Sequence, residues 1–400
     1  MHFLKQNAMS LRLIDKKVFS VKTITLMNAT RKHWLDNLRW VTVVLVLIYH
    51  VIYFYNNKGV FGGIGGFVDD PTRQPQDVVM YILYPWFMML MFLVAGISAR
   101  YALERKPAKA WLKSRTQKLL VPSTIGLLVF QWMVGYFNTA VVKPFAGMPL
   151  PVRWVLYAFS GIGPLWFVQD LWLFSLLLVL IRKIDNRDRF WTLCGKASAK
   201  VVVLLGVCVW LGSQVMIMHP RLESLDGLYN LYKPLTYFIP FLLGYYVFSH
   251  ETVQEQMERL RLPLLFCAVV AGVALVCTGW GSDPTSPQYL SGWLNCLYAW
   301  LCMLAMVGCF KAWANHTNRF SAYMTRSSFG IYVVHYLVVA SFGYMMKIYT
   351  QLPPWLMYVI LFAAVLLLSP VLYELLRRIP FIRWSVLGIK KQKKIISENV

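Results

Sequence analysis

The chain has 400 residues, of which 58% are hydrophobic and only 14% are charged. This composition excludes a soluble globular domain and indicates an integral membrane protein. The net charge of +23 does not predict a nucleic-acid partner, because the basic residues follow the membrane topology of the chain.

Ten apolar segments are long enough to cross a bilayer as helices. They cover residues 38–55, 79–98, 119–137, 163–181, 201–218, 231–249, 263–280, 290–310, 327–349 and 354–376. Alternate connections hold 32 Lys and Arg residues, and the other connections hold 5. Because positive charge marks the cytoplasmic side, the sequence predicts an all-α bundle of about ten transmembrane helices in the plasma (inner) membrane, with both termini cytoplasmic.

We expect three regions: a cytoplasmic tail at 1–33, a transmembrane domain at 34–385 and a basic cytoplasmic tail at 386–400. No small-residue cleavage site follows an apolar segment in the first 37 residues, so the first span is expected to be an uncleaved signal anchor. Translation from Met27 is an alternative, since Met27 directly precedes the basic stretch NATRKHW. The seven cysteines form no Cys-x-x-Cys pair, and no metal site is expected.

The first span carries two ionisable residues, Arg39 and His50. Eleven residues make close to three helical turns, so both side chains are expected on one face, about 16 Å apart along the axis. Asp36 lies on the same face and is placed to pair with Arg39. Ionisable groups are costly inside a membrane, and imidazole suits acid/base chemistry near neutral pH, so His50 is the leading catalytic candidate.

The ninth span has a polar stripe formed by Ser328, Tyr332 and His335, at a spacing of i, i+4 and i+7. His335 could lie at a depth comparable with that of His50. For His335, a catalytic role and a structural hydrogen bond between helices are both open, and for Ser328 and Tyr332 we favour structure.

Asp170 lies about two turns inside the fourth span, where a carboxylate needs a cation, a histidine or water. Its candidate partners are His50 and His335, and it is expected within hydrogen-bond reach of one of them, directly or through one water. A structural ion pair is the alternative.

The predicted cytoplasmic loop 99–118 contains seven basic residues and one Glu. Most of this charge is explained by topology and by attraction to lipid. A more specific interpretation is that Arg115 and Lys118 hold the phosphates of a nucleotide-like donor.

Five motifs occur in order along the chain: LDNLRWVTVVLVLIYH, MFLVAGIS, RTQK, PLWFV and SSFGIYVVH. Together they resemble the membrane acyltransferase-3 family, whose members move acyl groups from coenzyme A thioesters to hydroxyls, mostly on carbohydrates. The first fits the family's Arg-x10-His element, the second is similar to Phe-x-x-Ser-Gly, the third resembles Arg-x-x-Arg, and the fourth resembles His-Leu-Trp-Phe-Leu. SSFGIYVVH and the closing LYELLRRIPFIRW are most similar to the periplasmic-glucan succinyltransferase branch. The chain departs from the family at Ala95, Lys118 and Pro164.

The resemblance implies that Arg39 and His50 are the catalytic pair and that Arg115 and Lys118 bind the donor, acyl-coenzyme A. No permanently bound cofactor is expected. His335 and Asp170 complete the expected catalytic set, Arg39 also faces the donor, and Trp166, Tyr332, Ser328 and Asp36 are expected at the substrate. His50 either deprotonates a hydroxyl of a carbohydrate or glycan acceptor, or carries the acyl group transiently. The alternatives are a transporter or flippase for a glycan or lipid-linked substrate, and a sensor or scaffold protein.

Overall fold

The structure is a computed structural model. It describes residues 31–56, 63–67, 74–141, 143–217 and 233–390. Met27 and most of the two predicted tails lie outside the described residues. Within them, all regular structure is helical, which confirms the predicted all-α class.

We label the helices in chain order. They are α1 (His33–Phe54), α2 (Val78–Arg105), α3 (Ala108–Thr139), α4 (Leu150–Ser160), α5 (Trp166–Ile184), α6 (Arg189–Cys194), α7 (Ala199–Gln214), α8 (Leu235–Tyr246), α9 (Glu251–Arg259), α10 (Arg261–Gly279), α11 (Pro287–Leu290), α12 (Trp293–Trp313), α13 (Arg319–Tyr349), α14 (Pro354–Leu376) and α15 (Pro380–Ser385). Short 3-10 turns precede α2 and α5, and two π-helical turns, Thr116–Leu120 and Leu127–Gln131, interrupt α3.

Eight of the described helices are long and apolar enough to span a membrane: α1, α2, α3, α5, α10, α12, α13 and α14. The fifth and sixth predicted spans correspond to α7 and α8, which are apolar but shorter. The multi-pass architecture is therefore confirmed, whereas the count of ten is not. The cytoplasmic position of the termini stays a prediction.

Two predicted boundaries change. The expected loop 99–118 is mostly helical, since α2 continues to Arg105 and α3 begins at Ala108, directly after Pro107. The ninth span begins at Arg319 rather than at 327, because Asn318 and Ser321 cap its first turn reciprocally, with hydrogen bonds of 2.8 and 2.9 Å. At the other end of the chain, Val386 and Leu387 are buried, so packed structure extends into the region predicted as a tail.

Helix α2 is apolar around its whole circumference and packs against α1, α8 and α12. Its contact with α8 is a backbone-to-backbone approach. A Cβ atom at Gly96 would lie 2.0 Å from the Phe241 carbonyl oxygen, and one at Gly244 would lie 2.1 Å from the Leu93 carbonyl oxygen. Only glycine fits at these two positions, as is usual where membrane helices pack closely.

Helix α1 is surrounded by α2, α12, α13 and α14. It runs from a basic end of the bundle, which holds Arg39, to an opposite end, which holds Phe54. Its packing along α13 brings together the two residues that the sequence analysis placed at similar depth, His50 and His335.

Candidate active site

His50 of α1 and His335 of α13 form a hydrogen-bonded pair. His335 Nε2 lies 3.1 Å from His50 Nδ1. His335 is fully buried, whereas His50 keeps part of its surface exposed. The predicted similarity in depth is thus confirmed, and the two rings meet although they are 285 positions apart in the chain.

The Tyr332 carbonyl group determines which nitrogen of each histidine carries the hydrogen. His335 Nδ1 lies 2.7 Å from the Tyr332 carbonyl oxygen, which can only accept a hydrogen bond. In the neutral ring we therefore assign the hydrogen of His335 to Nδ1, which leaves Nε2 to accept from His50 Nδ1–H. His50 Nε2 then keeps its lone pair. A base held in one tautomer by a hydrogen-bonded neighbour is the arrangement that nucleophilic catalysis requires.

Aromatic rings enclose His50. The centroids of Tyr49, Tyr53 and Tyr336 lie 5.3, 6.0 and 5.0 Å from that of the imidazole. Tyr84 of α2 stacks on Tyr49 at 5.3 Å. Helical spacing of polar residues did not single out these tyrosines, although the motif IYHVIYFY places two of them beside His50 and Tyr336 directly follows His335.

Tyr332 connects α13, which carries His335, to the turn that precedes α5. Its hydroxyl donates to the Pro164 carbonyl, and its ring lies 5.8 Å from that of His335. Trp166, two residues after Pro164, instead packs on Tyr237 at 5.0 Å. Ser328 is buried on α13, two turns nearer the basic end. Of these three predicted residues, the structure therefore brings only Tyr332 into contact with the histidine pair.

The basic end contains the predicted cations. Arg39 donates to Asp36 at 3.1 Å and to Ser98 Oγ at 2.8 Å. Asp36 also binds Arg31, at 2.8 Å, so its charge is shared. These contacts confirm the expected pairing of Asp36 with Arg39.

Arg115 and Lys118 lie close enough to Arg39 for electrostatic repulsion. The Arg115 guanidinium lies 5.2 Å from the Trp111 ring centroid. Neither Arg115 nor Lys118 forms an ion pair within the part of the chain that the structure describes. Three clustered cations with one shared carboxylate make a site suited to a phosphorylated ligand.

Asp170 makes no direct hydrogen bond to either histidine among the described residues, and the expected link through one water stays a prediction. Its Oδ2 atom is buried and has no hydrogen bond among the described residues. The neighbouring side chains of Gln169 and Trp172 contact Ser123 and Thr116 of α3. These two contacts fix the rotation of α5 against α3, and at this rotation Asp170 makes no direct hydrogen bond to His50 or His335.

Comparison with known proteins identifies the chain. The sequence profile of the acyltransferase-3 family, described as an acyltransferase domain, matches residues 32–374. This protein belongs to the acyltransferase-3 family. The match includes every site residue named above except Arg31, and it makes the protein a multi-pass membrane O-acyltransferase.

Curated relatives of this acyltransferase match most of the chain. It is 22% identical to the glucans biosynthesis protein C of Shigella dysenteriae serotype 1 over 379 residues, which cover 90% of this chain and 95% of the relative. The protein of the same name from Escherichia coli O139:H28 is 23% identical over 390 residues, with the same coverage. No solved structure matches the chain significantly.

Proposed function

We propose that this acyltransferase moves an acetyl, succinyl or similar acyl group from acyl-coenzyme A to a hydroxyl of a carbohydrate or cell-envelope glycan. The single observation that carries the proposal is the His50–His335 pair, which leaves His50 Nε2 as an oriented base inside the bundle. The basic end is the cytoplasmic end, and the acceptor arrives from the opposite end.

The donor site is the cation cluster. The phosphates of coenzyme A bind Arg115 and Lys118, with Arg39 beside them. Arg39 and His50 are separated by about 16 Å along α1, at 1.5 Å per residue. The long pantetheine arm of the donor bridges such a distance, so the thioester reaches His50 while the phosphates stay at the basic end.

The reaction is an acyl transfer with a balanced proton path. The acceptor oxygen attacks the thioester carbon, an oxygen–carbon bond forms, and the carbon–sulfur bond breaks. His50 Nε2 takes the hydroxyl proton and then delivers it to the departing coenzyme A sulfur. His335 Nε2 accepts from His50 Nδ1–H throughout and so stabilises the imidazolium form of His50.

A second route uses the same nitrogen. His50 Nε2 attacks the thioester carbon, the carbon–sulfur bond breaks, and coenzyme A leaves as the thiolate. The acceptor oxygen then attacks the acyl carbon, the carbon–nitrogen bond breaks, and the hydroxyl proton passes through the freed Nε2 to the thiolate. Both routes need the lone pair of Nε2 and the orientation that His335 imposes.

A carbohydrate acceptor is supported by the relatives, whose name refers to glucans. The family match favours an enzyme over a transporter, flippase, sensor or scaffold. It is the histidine pair, rather than the fold, that supplies the chemistry of the proposal.

The test is transfer of labelled acyl groups from acyl-coenzyme A to a glucose oligosaccharide by the purified protein in lipid vesicles. We expect His50→Ala to lower the rate at least about 100-fold, because it removes the base without adding charge to the bundle. His316→Ala is the matched control, since His316 is exposed near the basic end. Near-normal product from the His50 variant would refute the mechanism.

A further inference from the structure

The Tyr49 hydroxyl, next to His50, is buried without a hydrogen-bond partner among the described residues. Tyr49 is only 2% exposed, and its Oη atom forms no hydrogen bond with any described residue. Leaving a buried polar group unpaired is costly, so the group is expected to serve a ligand. The ring of Tyr49 is fixed between the edge of His50 and the stacked ring of Tyr84.

A carboxylate from the opposite end faces the same tyrosines. Asp283 lies in the connection after α10, close enough to the Tyr49 and Tyr53 hydroxyls to interact with them electrostatically. This connection is held in place by Tyr81, whose hydroxyl donates to the Ser282 carbonyl and accepts from the Gly281 amide at 3.2 Å. Tyr81 precedes Tyr84 by one turn of α2, so the anchor and the stacked ring belong to one rigid face.

In the described part of the chain, Asp283 accepts hydrogen bonds through one of its two carboxylate oxygens. Oδ1 accepts from the Thr285 amide and the Thr285 hydroxyl, both at 2.8 Å, which fixes the carboxylate. Oδ2 has no hydrogen bond within the described ranges, and Asp283 is only half-buried. A carboxylate oxygen that is oriented and open can accept from a ligand hydroxyl with a strong, charge-assisted bond.

We propose that Asp283 and Tyr49 form the acceptor subsite, which binds a neutral polyhydroxyl ligand by the hydroxyls that flank the reacting one. Asp283 Oδ2 accepts from one hydroxyl of the acceptor, and Tyr49 Oη bonds a second beside His50. The half-buried rings of Tyr53 and Tyr84 offer apolar faces to the carbon skeleton. A site that hydrogen-bonds substrate hydroxyls discriminates strongly against alcohols that lack them.

This inference rests on the proposed function, and it adds specificity residues that do not take part in proton transfer. His50 remains the only group that takes the proton of the reacting hydroxyl. Asp283 and Tyr49 therefore determine which acceptor is bound and leave the thioester chemistry unchanged.

The experiment compares a glucose oligosaccharide with 1-propanol, which has a single hydroxyl, as acceptors for the reconstituted enzyme. We expect Asp283→Asn and Tyr49→Phe each to raise the KM for the oligosaccharide roughly tenfold to a hundredfold, through loss of one hydrogen bond. Transfer to 1-propanol and the KM for acyl-coenzyme A should stay unchanged. The preference for the oligosaccharide therefore falls, which a general packing defect would not produce.

Matched controls remove similar groups elsewhere. Glu255→Gln removes an exposed carboxylate on α9, and Tyr136→Phe removes a hydroxyl from an exposed tyrosine of α3. If the wild-type enzyme transfers acyl groups and the Asp283 and Tyr49 variants keep its acceptor preference, the subsite is refuted and the proposed function stands. If the wild type shows no transfer that depends on His50, the proposed function itself fails.

Discussion

His50 Nδ1 lies 3.1 Å from His335 Nε2, and the tautomer that we assign to His335 makes His50 Nδ1 the donor, which leaves Nε2 of His50 to react. His335→Ala removes the acceptor and lets the His50 ring turn and exchange tautomers. We expect kcat to fall roughly tenfold to a hundredfold, less than the loss of the base itself, with the KM for the donor unchanged. Steady-state kinetics on the reconstituted protein measure both. Equal, complete losses for the His50 and His335 variants would make His335 a full member of the catalytic set.

Arg115→Ala and Lys118→Ala should raise the KM for acyl-coenzyme A and change kcat less. A phosphate contact is made equally in the ground state and the transition state, so its loss is a loss of uniform binding. Lys113→Ala, which removes an exposed cation from the same helix, is the control. If neither Arg115→Ala nor Lys118→Ala changes the donor KM or the rate, the two cations serve only as topology determinants.

Glu251 should contribute to stability in a pH-dependent way. Partial burial raises the pKa of this carboxyl, but hydrogen bonds from Lys311 and Lys32 outweigh that effect, and its pKa lies below the usual 4.5. A depressed folded-state pKa stabilises the protein above the unfolded-state pKa, and the contribution is lost as the pH falls through the folded-state value. We expect Glu251→Gln to lower the melting temperature at pH 7 and to converge with wild type near pH 3.

Glu255→Gln, on the same helix but exposed and without an ion pair among the described residues, is the control for this pH series. Equal melting temperatures of the Glu251 variant and wild type at pH 7 would show that the ion pairs with Lys32 and Lys311 add nothing.

Gly96→Val should destabilise the bundle. Its Cβ would lie 2.0 Å from the Phe241 carbonyl oxygen, and backbone cannot move aside as a flexible side chain does. We expect a loss of at least about 1–3 kcal/mol, seen as a lower thermal midpoint in detergent. An unchanged midpoint would mean that α2 and α8 separate without cost.

Asp170→Asn should leave the pH profile of transfer unchanged, since no direct contact joins Asp170 to either histidine. The substitution removes a charge whose Oδ2 is buried and unpaired, so the melting temperature should rise or stay level. A shifted pH optimum would restore Asp170 to the site, through water.

Spacing along one helix was predictable, and neighbours across helices were not. The placement of Arg39 and His50 on one face of α1 was predicted from helical periodicity. The shared depth of His50 and His335 was predicted from the apolar segments, and it is confirmed by their contact although α13 begins eight residues before 327. Depth alone could not place Asp170, because the rotation of α5 against its neighbours depends on packing. The tyrosines around His50 could not be predicted from the sequence for a different reason. The chain contains 22 tyrosines, and only the packing of α1, α2 and α13 selects those beside His50.

The Tyr332 hydroxyl donates its hydrogen bond to the carbonyl oxygen of Pro164. The oxygen that Tyr332 uses belongs to the main chain, and every amino acid supplies one. Position 164 can therefore exchange histidine for proline while the brace between α13 and the start of α5 survives. A comparison that scores this position by its side chain would count a lost motif residue, although the hydrogen bond depends only on the main chain.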